Sequence, residues 1–205
     1  MDLTKLNEDQ LDSIKEIANI GSGHAATALS QLTKRKVMVN VPEVKILNVE
    51  EITSLFPESE EIVVGILINF LGDITGRVLL VFPENETSLL TNALIPDKGK
   101  HPGGFSEYEQ SYFKEISNIV IGAYITALAN FLNFLILPSV PALVVDNALA
   151  VLSSAHLDFS KNKNLLFCVE TLFYFDGGAA TLHGYLLLLP DPGSLEVILK
   201  AFNLL

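Results

Sequence analysis

The chain has 205 residues, 49% of them hydrophobic, which is enough apolar material for the core of one large domain or two small ones. Its 24 acidic side chains against 13 basic ones give a net charge of −11, so it lacks the basic surplus of nucleic-acid-binding proteins and we expect no nucleic-acid partner. Cys168 is the only cysteine, which excludes an internal disulfide and a Cys-based zinc site. The first ten residues carry no secretory signal pattern, and we expect a cytoplasmic protein.

The first predicted element is a long helix, near Asn7–Thr33. Asn7 stands three residues before Gln10, which is the pattern of a capped helix start. At 3.6 residues per turn one broad face is apolar, and we predict that it packs on the core; it comprises Leu11, Ile14, Ile17, Gly21, Ala25, Ala28, Leu29 and Leu32. Apolar, β-branched runs then predict strands, followed by a short helix; the strands are Lys36–Val41, Ile62–Leu71 and Gly76–Phe82, and the helix is Asn85–Leu94.

The second half begins after a connector at Pro96–Gly104, with a helix predicted near Ser106–Asn133. Ser106 and Glu109 repeat the capping pattern. Its predicted core face comprises Phe113, Ile116, Val120, Tyr124, Ala127, Leu128 and Phe131. Strands at Leu165–Phe175 and Gly184–Pro190 and a helix at Gly193–Leu205 follow. We therefore predict an α+β fold, with long helices on one face of a mainly antiparallel sheet.

One uncharged stretch, Ile119–Leu137, approaches the ~20 residues that span a bilayer. Asn130 and Asn133 interrupt it, and no cluster of Lys or Arg flanks it. We therefore predict that it is the buried part of a helix followed by a strand, with no membrane insertion.

The chain repeats itself with a shift of 99 positions. Residues 12–42 align without a gap on 111–141, and 11 of these 31 positions are identical. The identical residues of the first copy are Lys15, Glu16, Ile17, Asn19, Ile20, Gly23, Thr27, Ala28, Leu29, Val41 and Pro42. Such a repeat indicates a duplicated structural unit. We predict one domain, 1–205, made of two repeats of about 1–98 and 99–205 and related by a pseudo-twofold axis.

A polar stripe occupies the same place in both predicted helices, opposite the core face. Its members lie over ~10 Å of each helix and are Asp12, Glu16 and Asn19 in the first copy and Ser111, Glu115 and Asn118 in the second. Small residues continue it and would let another protein approach closely; they start at Gly23 and Gly122, with Ala26 and Ser30 or Ile125 and Ala129 beyond. Most polar helix faces are only solvated, but solubility does not demand Glu and Asn at matched positions.

The stripe belongs to a longer pattern, Asp/Ser-x3-Glu-x2-Asn-x22-Pro. It is filled first by Asp12, Glu16, Asn19 and Pro42, and then by Ser111, Glu115, Asn118 and Pro141. This pattern resembles the signature of the CheC, CheX and FliY phosphatases, and two motifs without a further flagellar-switch domain are similar to the CheC type. The resemblance implies a hydrolase that removes phosphate from the aspartyl-phosphate of a CheY-type chemotaxis response regulator.

The resemblance also assigns roles to residues. It implies that Asn19 and Asn118 orient the attacking water, and that Glu16 and Glu115 pair with the regulator's Lys. It implies no cofactor belonging to this chain, because the regulator supplies the Mg²⁺.

Two other functions remain open at this stage. A non-catalytic adaptor would use the stripes as docking surface, and the resemblance suggests the receptor deamidase CheD as its partner, at a predicted helix within Leu143–His156 that includes Asp146. A conventional hydrolase is the weakest alternative, because no Gly-x-Ser-x-Gly, His-Glu-x-x-His or phosphate loop occurs.

Overall fold

A computed structural model describes residues 8–48, 51–52, 55–56, 62–84, 87, 106–155, 165–175 and 180–202. In chain order its elements are α1 (Glu8–Thr33), β1 (Val37–Asn40), β2 (Val44–Asn48), β3 (Ile62–Gly72), β4 (Gly76–Pro83), α2 (Glu107–Leu132), β5 (Ile136–Pro138), β6 (Ala142–Asn147), α3 (Ala148–Ala155), β7 (Leu165–Phe175), β8 (Ala180–Pro190) and α4 (Pro192–Ala201). The Asn7 cap, the connector at Pro96–Gly104 and, apart from Thr87, the predicted helix at Asn85–Leu94 lie outside the described residues.

Local chemistry fixes both ends of α2. The Ser106 hydroxyl accepts a hydrogen bond from the Glu109 backbone N–H, and the Glu109 carboxylate accepts one from the Ser106 N–H at 2.9 Å. This is the predicted capping box. At the other end Asn133 takes the left-handed backbone, and its N–H bonds back to the last turn.

The eight strands form one antiparallel sheet with a symmetric strand order. Replacing each strand by its counterpart in the other half gives the same order in reverse. The order is β1-β7-β8-β4-β3-β5, with β2 also on β7 and β6 also on β3. Val37 pairs with Phe175, and its repeat counterpart Ile136 pairs with Gly72. The predicted α+β fold and its pseudo-twofold duplication are confirmed, whereas the predicted boundary near residue 98 lies outside the described residues.

Each half lends strands to the other. β1 and β2 of the first half pair with β7 of the second, and β5 and β6 of the second half pair with β3 of the first. The two halves therefore share one continuous sheet.

The sheet has a core on each face. On one side α1, α2 and α4 pack over the larger core, which includes Phe70, Phe82 and Phe113. On the other side α3 and the segment around Ile52 and Phe56 cover a smaller core. The long helices thus lie on one face as predicted, and their outer surface is available to solvent.

Several local predictions are wrong. Leu11, Leu32 and Phe131 were expected in the core but are 37%, 39% and 49% exposed, because they lie at the margins of the buried helix faces; Phe131 stacks instead on Phe202. Ile125 was expected to extend the stripe but is buried. The segment 143–156 is not a continuous helix, because residues up to Asn147 form β6 against β3 and α3 begins only at Ala148.

By length and composition α2 is apolar enough to cross a membrane. Half of its most apolar 18-residue window is buried within the protein, against α1 and the sheet. These apolar residues therefore belong to the core of this fold, and the stretch is a helix followed by a strand as predicted.

Candidate functional site

The first stripe lies on the outer surface of α1. The side chains of Asp12, Glu16 and Asn19 are exposed. Directly beneath them Ile17 and Ala18 are buried at 7% and 4% exposure, so this part of the helix is anchored in the core. The Ser22 hydroxyl donates to the Asn19 backbone carbonyl at 2.8 Å, one turn further on. The arrangement presents a carboxylate and a carboxamide from a backbone that is held in place.

The second stripe repeats this arrangement on α2. Ser111, Glu115 and Asn118 are exposed, and Ile116 and Ser117 are buried beneath them. Among the described residues Ser117 has the one buried side-chain oxygen that lacks a hydrogen-bond partner. The six predicted stripe residues are therefore displayed as two sets of three.

Two glycines extend the stripes by one turn. A Cβ atom added at Gly23 or Gly122 would meet nothing within 4 Å. Because a glycine inside a helix lowers stability relative to alanine, and this fold leaves room for a side chain here, packing does not explain the two glycines. They leave the helix backbone open to a partner beside each Asn.

Sequence reasoning missed part of this surface. Ile20 follows Asn19 and is 46% exposed, and Thr27, one turn after Gly23, is exposed as well. The counterpart Thr126 is also exposed, whereas Ile119 is partly buried. The signal was present in the repeat, because these positions are identical in the two copies.

The two helices run antiparallel. A Cβ atom at Gly21 would lie 2.8 Å from Cδ1 of Tyr124, and Arg35, two residues after the end of α1, is within electrostatic range of Tyr112, near the start of α2. Each stripe occupies the N-terminal half of its helix. Each site is therefore flanked by the C-terminal end of the opposite helix.

The remaining candidate residues lie away from the stripes. Pro42 and Pro141 are in matched connections, between β1 and β2 and between β5 and β6. Asp146 is at the end of β6, where its carboxylate accepts hydrogen bonds from Asn147. It pairs across the sheet with Val63, a member of the smaller core, so it lies on the sheet face opposite the long helices.

A carboxamide on a fixed helix can accept a hydrogen bond from water while donating one to a phosphoryl oxygen. A neighbouring carboxylate can pair with a partner's cation. Within the described ranges no group of three or more His, Cys, Asp or Glu side chains is placed to hold a metal ion. The geometry suits positioning of a water on another protein's phosphoryl group.

Comparison with known proteins places both stripes in a family. The CheC-like family matches residues 10–46 and 109–145, the segments that carry the two motifs. The chain is 31% identical to the CheY-P phosphatase CheC of Bacillus subtilis (strain 168) over 97% of its own length and 96% of that protein. The chain belongs to the CheC-like family.

Other relatives of this CheC-like chain agree. The flagellar motor switch phosphatase FliY of the same Bacillus strain is 31% identical over 60% of the chain and 32% of that protein. The X-ray crystal structure of Thermotoga maritima FliY superimposes with a TM-score of 0.74 at 21% identity, covering 97% of the present chain and 98% of the chain in that structure. That structural likeness supports the fold.

Proposed function

We propose that this protein is a phosphatase that hydrolyses the aspartyl-phosphate of a CheY-type response regulator. The observation that carries the proposal is the exposed Glu–Asn pair, presented twice at the same register by a chain of the CheC-like family. The names of its relatives, CheY-P phosphatase CheC and flagellar motor switch phosphatase FliY, support the same activity.

In the proposed reaction the chain acts by positioning. Asn19 or Asn118 accepts a hydrogen bond from a water and aligns it with the phosphorus atom, opposite the aspartyl oxygen. The water oxygen bonds to phosphorus as the bond to the aspartyl oxygen breaks, which releases inorganic phosphate and regenerates the regulator's carboxylate. Glu16 or Glu115 pairs with a Lys of the regulator and fixes the register. Such alignment is worth ~10²-fold or more in rate.

We further propose that the Mg²⁺ for this reaction is bound by the regulator. In each stripe the Glu stands beside a neutral carboxamide, and the described residues hold no group of three or more His, Cys, Asp or Glu side chains placed for a metal ion. Titration of the isolated protein with Mg²⁺ should show no tight stoichiometric site, and calorimetric detection of one would contradict this part of the scheme.

The decisive experiment follows the decay of a phosphorylated CheY-type regulator with the parent protein, Asn19→Ala, Asn118→Ala and the double variant. The double variant should leave only the regulator's own decay rate, while its free energy of unfolding stays within ~0.5 kcal/mol of the parent. Asn130→Ala is the matched control, because Asn130 is exposed on α2 but lies off the stripe. A double variant as active as the parent would refute the water-positioning role.

An adaptor function toward CheD is the second candidate. The observation that favours it is the location of Asp146 and α3 on the sheet face opposite the stripes, where Leu149 is 44% exposed. A partner there would leave both stripes accessible. Asp146→Lys should then weaken CheD binding without changing the rate of phosphate loss, and unchanged CheD binding would remove the proposal.

A further inference from the structure

The two sites differ in what flanks them. The turn after α1 carries Lys34, Arg35 and Lys36, all exposed, and the matched turn after α2 carries Asn133, Phe134 and Leu135. Both turns have the same left-handed first residue, with φ of 54° and 55°. The same backbone thus presents three cations in one half and none in the other.

Antiparallel packing places the basic turn beside the second site. Tyr112 follows Ser111 in the sequence, and Arg35 lies within electrostatic range of the Tyr112 hydroxyl. Burial and Tyr108 raise the pKa of that hydroxyl, and Arg35 lowers it. By the same symmetry the uncharged turn at 133–135 flanks the first site. No ion pair engages the ammonium of Lys34 or Lys36 within the described part of the chain.

The local charge of the two sites therefore has opposite sign. Residues 110–115 with the turn 34–36 carry four cations and one carboxylate, for a net charge of +3. The matched residues 11–16 with the turn 133–135 carry one cation and two carboxylates, for a net charge of −1. Nothing in the fold requires this difference of four charges, since the backbone is duplicated.

We propose that Lys34, Arg35 and Lys36 form an electrostatic docking element for the second site, which draws in the anionic surface around the regulator's aspartyl-phosphate, while the first site docks the same surface without such attraction. The proposal rests on the proposed function and assigns a different mode of recognition to each site. Its physical basis is that charges at the rim of an interface act mainly on encounter and are screened by salt.

Salt is therefore the first test. In Asn19→Ala only the second site works, and in Asn118→Ala only the first. Raising KCl from ~50 to ~500 mM shortens the Debye length from above 10 Å to about 4 Å. The KM of Asn19→Ala should rise about fivefold or more, with little change in kcat. The KM of Asn118→Ala should stay constant or fall, because salt screens repulsion at that site.

The second test removes the cations. Lys34→Gln with Lys36→Gln, in the Asn19→Ala background, should raise the KM at low salt severalfold and flatten its salt dependence. The same pair in the Asn118→Ala background should change nothing. The matched control is Lys45→Gln with Arg77→Gln, which removes two cations on the opposite side of the sheet. Ile46 next to Lys45 and Val78 next to Arg77 face the larger core, so Lys45 and Arg77 face away from it.

A binding measurement separates this proposal from the proposed function. Regulator loaded with beryllofluoride, which mimics the phosphoryl group, is titrated at both salt concentrations against Glu16→Lys, in which only the second site docks, and Glu115→Lys, in which only the first site docks. A salt-sensitive Kd for Glu16→Lys alone upholds the docking element even if neither variant hydrolyses phosphate, in which case only the proposed function fails. Equal salt dependence in the two variants, or an unchanged Kd when Lys34→Gln and Lys36→Gln are added to Glu16→Lys, overturns the proposal.

Discussion

Lys34 and Asn133 adopt the same left-handed backbone one residue after the ends of α1 and α2. Asparagine tolerates this conformation, whereas for a lysine it costs about 1 kcal/mol. Lys34→Gly should therefore raise the free energy of unfolding by about 0.5–1 kcal/mol, and Asn133→Gly should raise it less. Urea denaturation measures both. Lys36→Gly is the control, and an equal gain there would argue against the conformational explanation.

The open space at Gly23 and Gly122 leads to a prediction in which stability and activity move in opposite directions. Gly→Ala at either position should stabilise the helix by about 0.5–1 kcal/mol, because the methyl group meets nothing. It should also hold the regulator away from the neighbouring Asn. Gly23→Ala in the Asn118→Ala background, where only the first site works, should lose tenfold or more in kcat/KM.

Gly21→Ala is the matched contrast for that experiment. Its methyl group would lie 2.8 Å from the ring and 3.0 Å from the backbone of Tyr124, so the helices must separate. Unfolding should become easier by about 1–3 kcal/mol. If Gly23→Ala and Gly21→Ala alter stability alike, the glycines serve packing and not access.

The duplicated carboxylate separates a two-site enzyme from a single site with a scaffold. Glu16→Lys and Glu115→Lys should each leave partial phosphatase activity, because the intact half still presents its own Glu and Asn. The double variant should be inactive, since a Lys facing the regulator's Lys opposes docking at both halves. Decay rates of phosphorylated regulator with the parent, the two singles and the double decide the matter. Complete loss from either single change would mean that one half only supports the other.

Alkaline pH should destabilise the protein through two buried groups. Burial raises the pKa of the Cys168 thiol to about 12. Burial also raises the pKa of the Tyr124 hydroxyl to about 12, and its hydrogen bond with Thr171 opposes this shift. In the unfolded chain these groups lose protons near ~8.5 and ~10. At a pH above each of these values, the group has lost its proton in the unfolded state but still holds it in the folded state. Stability should then fall with rising pH, by up to ~1.4 kcal/mol per pH unit for each group.

Urea denaturation between pH 8 and 11 tests this dependence. The fall should begin near pH 9 and continue toward pH 12, while stability below pH 8 should not depend on these two groups. Tyr124→Phe and Cys168→Ala should each flatten the slope in the alkaline range. An unchanged slope in the double variant would show that other groups govern alkaline unfolding.

The long helices and the site could be predicted from sequence because their signals are local. Apolar periodicity and a capping box predict α2 from residues within a few helical turns of one another. The stripe can be recognised because Glu and Asn recur at the same spacing in both copies. The same repetition could have extended the site to Ile20 and Thr27, which are exposed on the same surface.

The missed strands have a common physical origin. Strands β2 and β6 are five and six residues long and exist because distant strands pair with them, which no local pattern encodes. The local sequence around Leu143 is compatible with both a helix and a strand. The pairing of Leu143 with Ile66 in β3 decides for the strand. The charge difference between the sites was equally hidden, because Lys34 and Ser111 are far apart in sequence and only the antiparallel packing of α1 and α2 brings their surroundings together.

The exchange of strands between halves bears on how such a chain can be assembled. When only the first half has left the ribosome, β3 lacks β5 and β6 and β4 lacks β8, so both edges of the β3–β4 pair stay open, and β1 and β2 still lack β7. A polypeptide containing a single copy could complete this sheet only by pairing its strands with those of a second identical molecule. The present chain is thus built as two subunits of a strand-swapped pair joined in tandem, and it must be synthesised almost to its end before either half is complete.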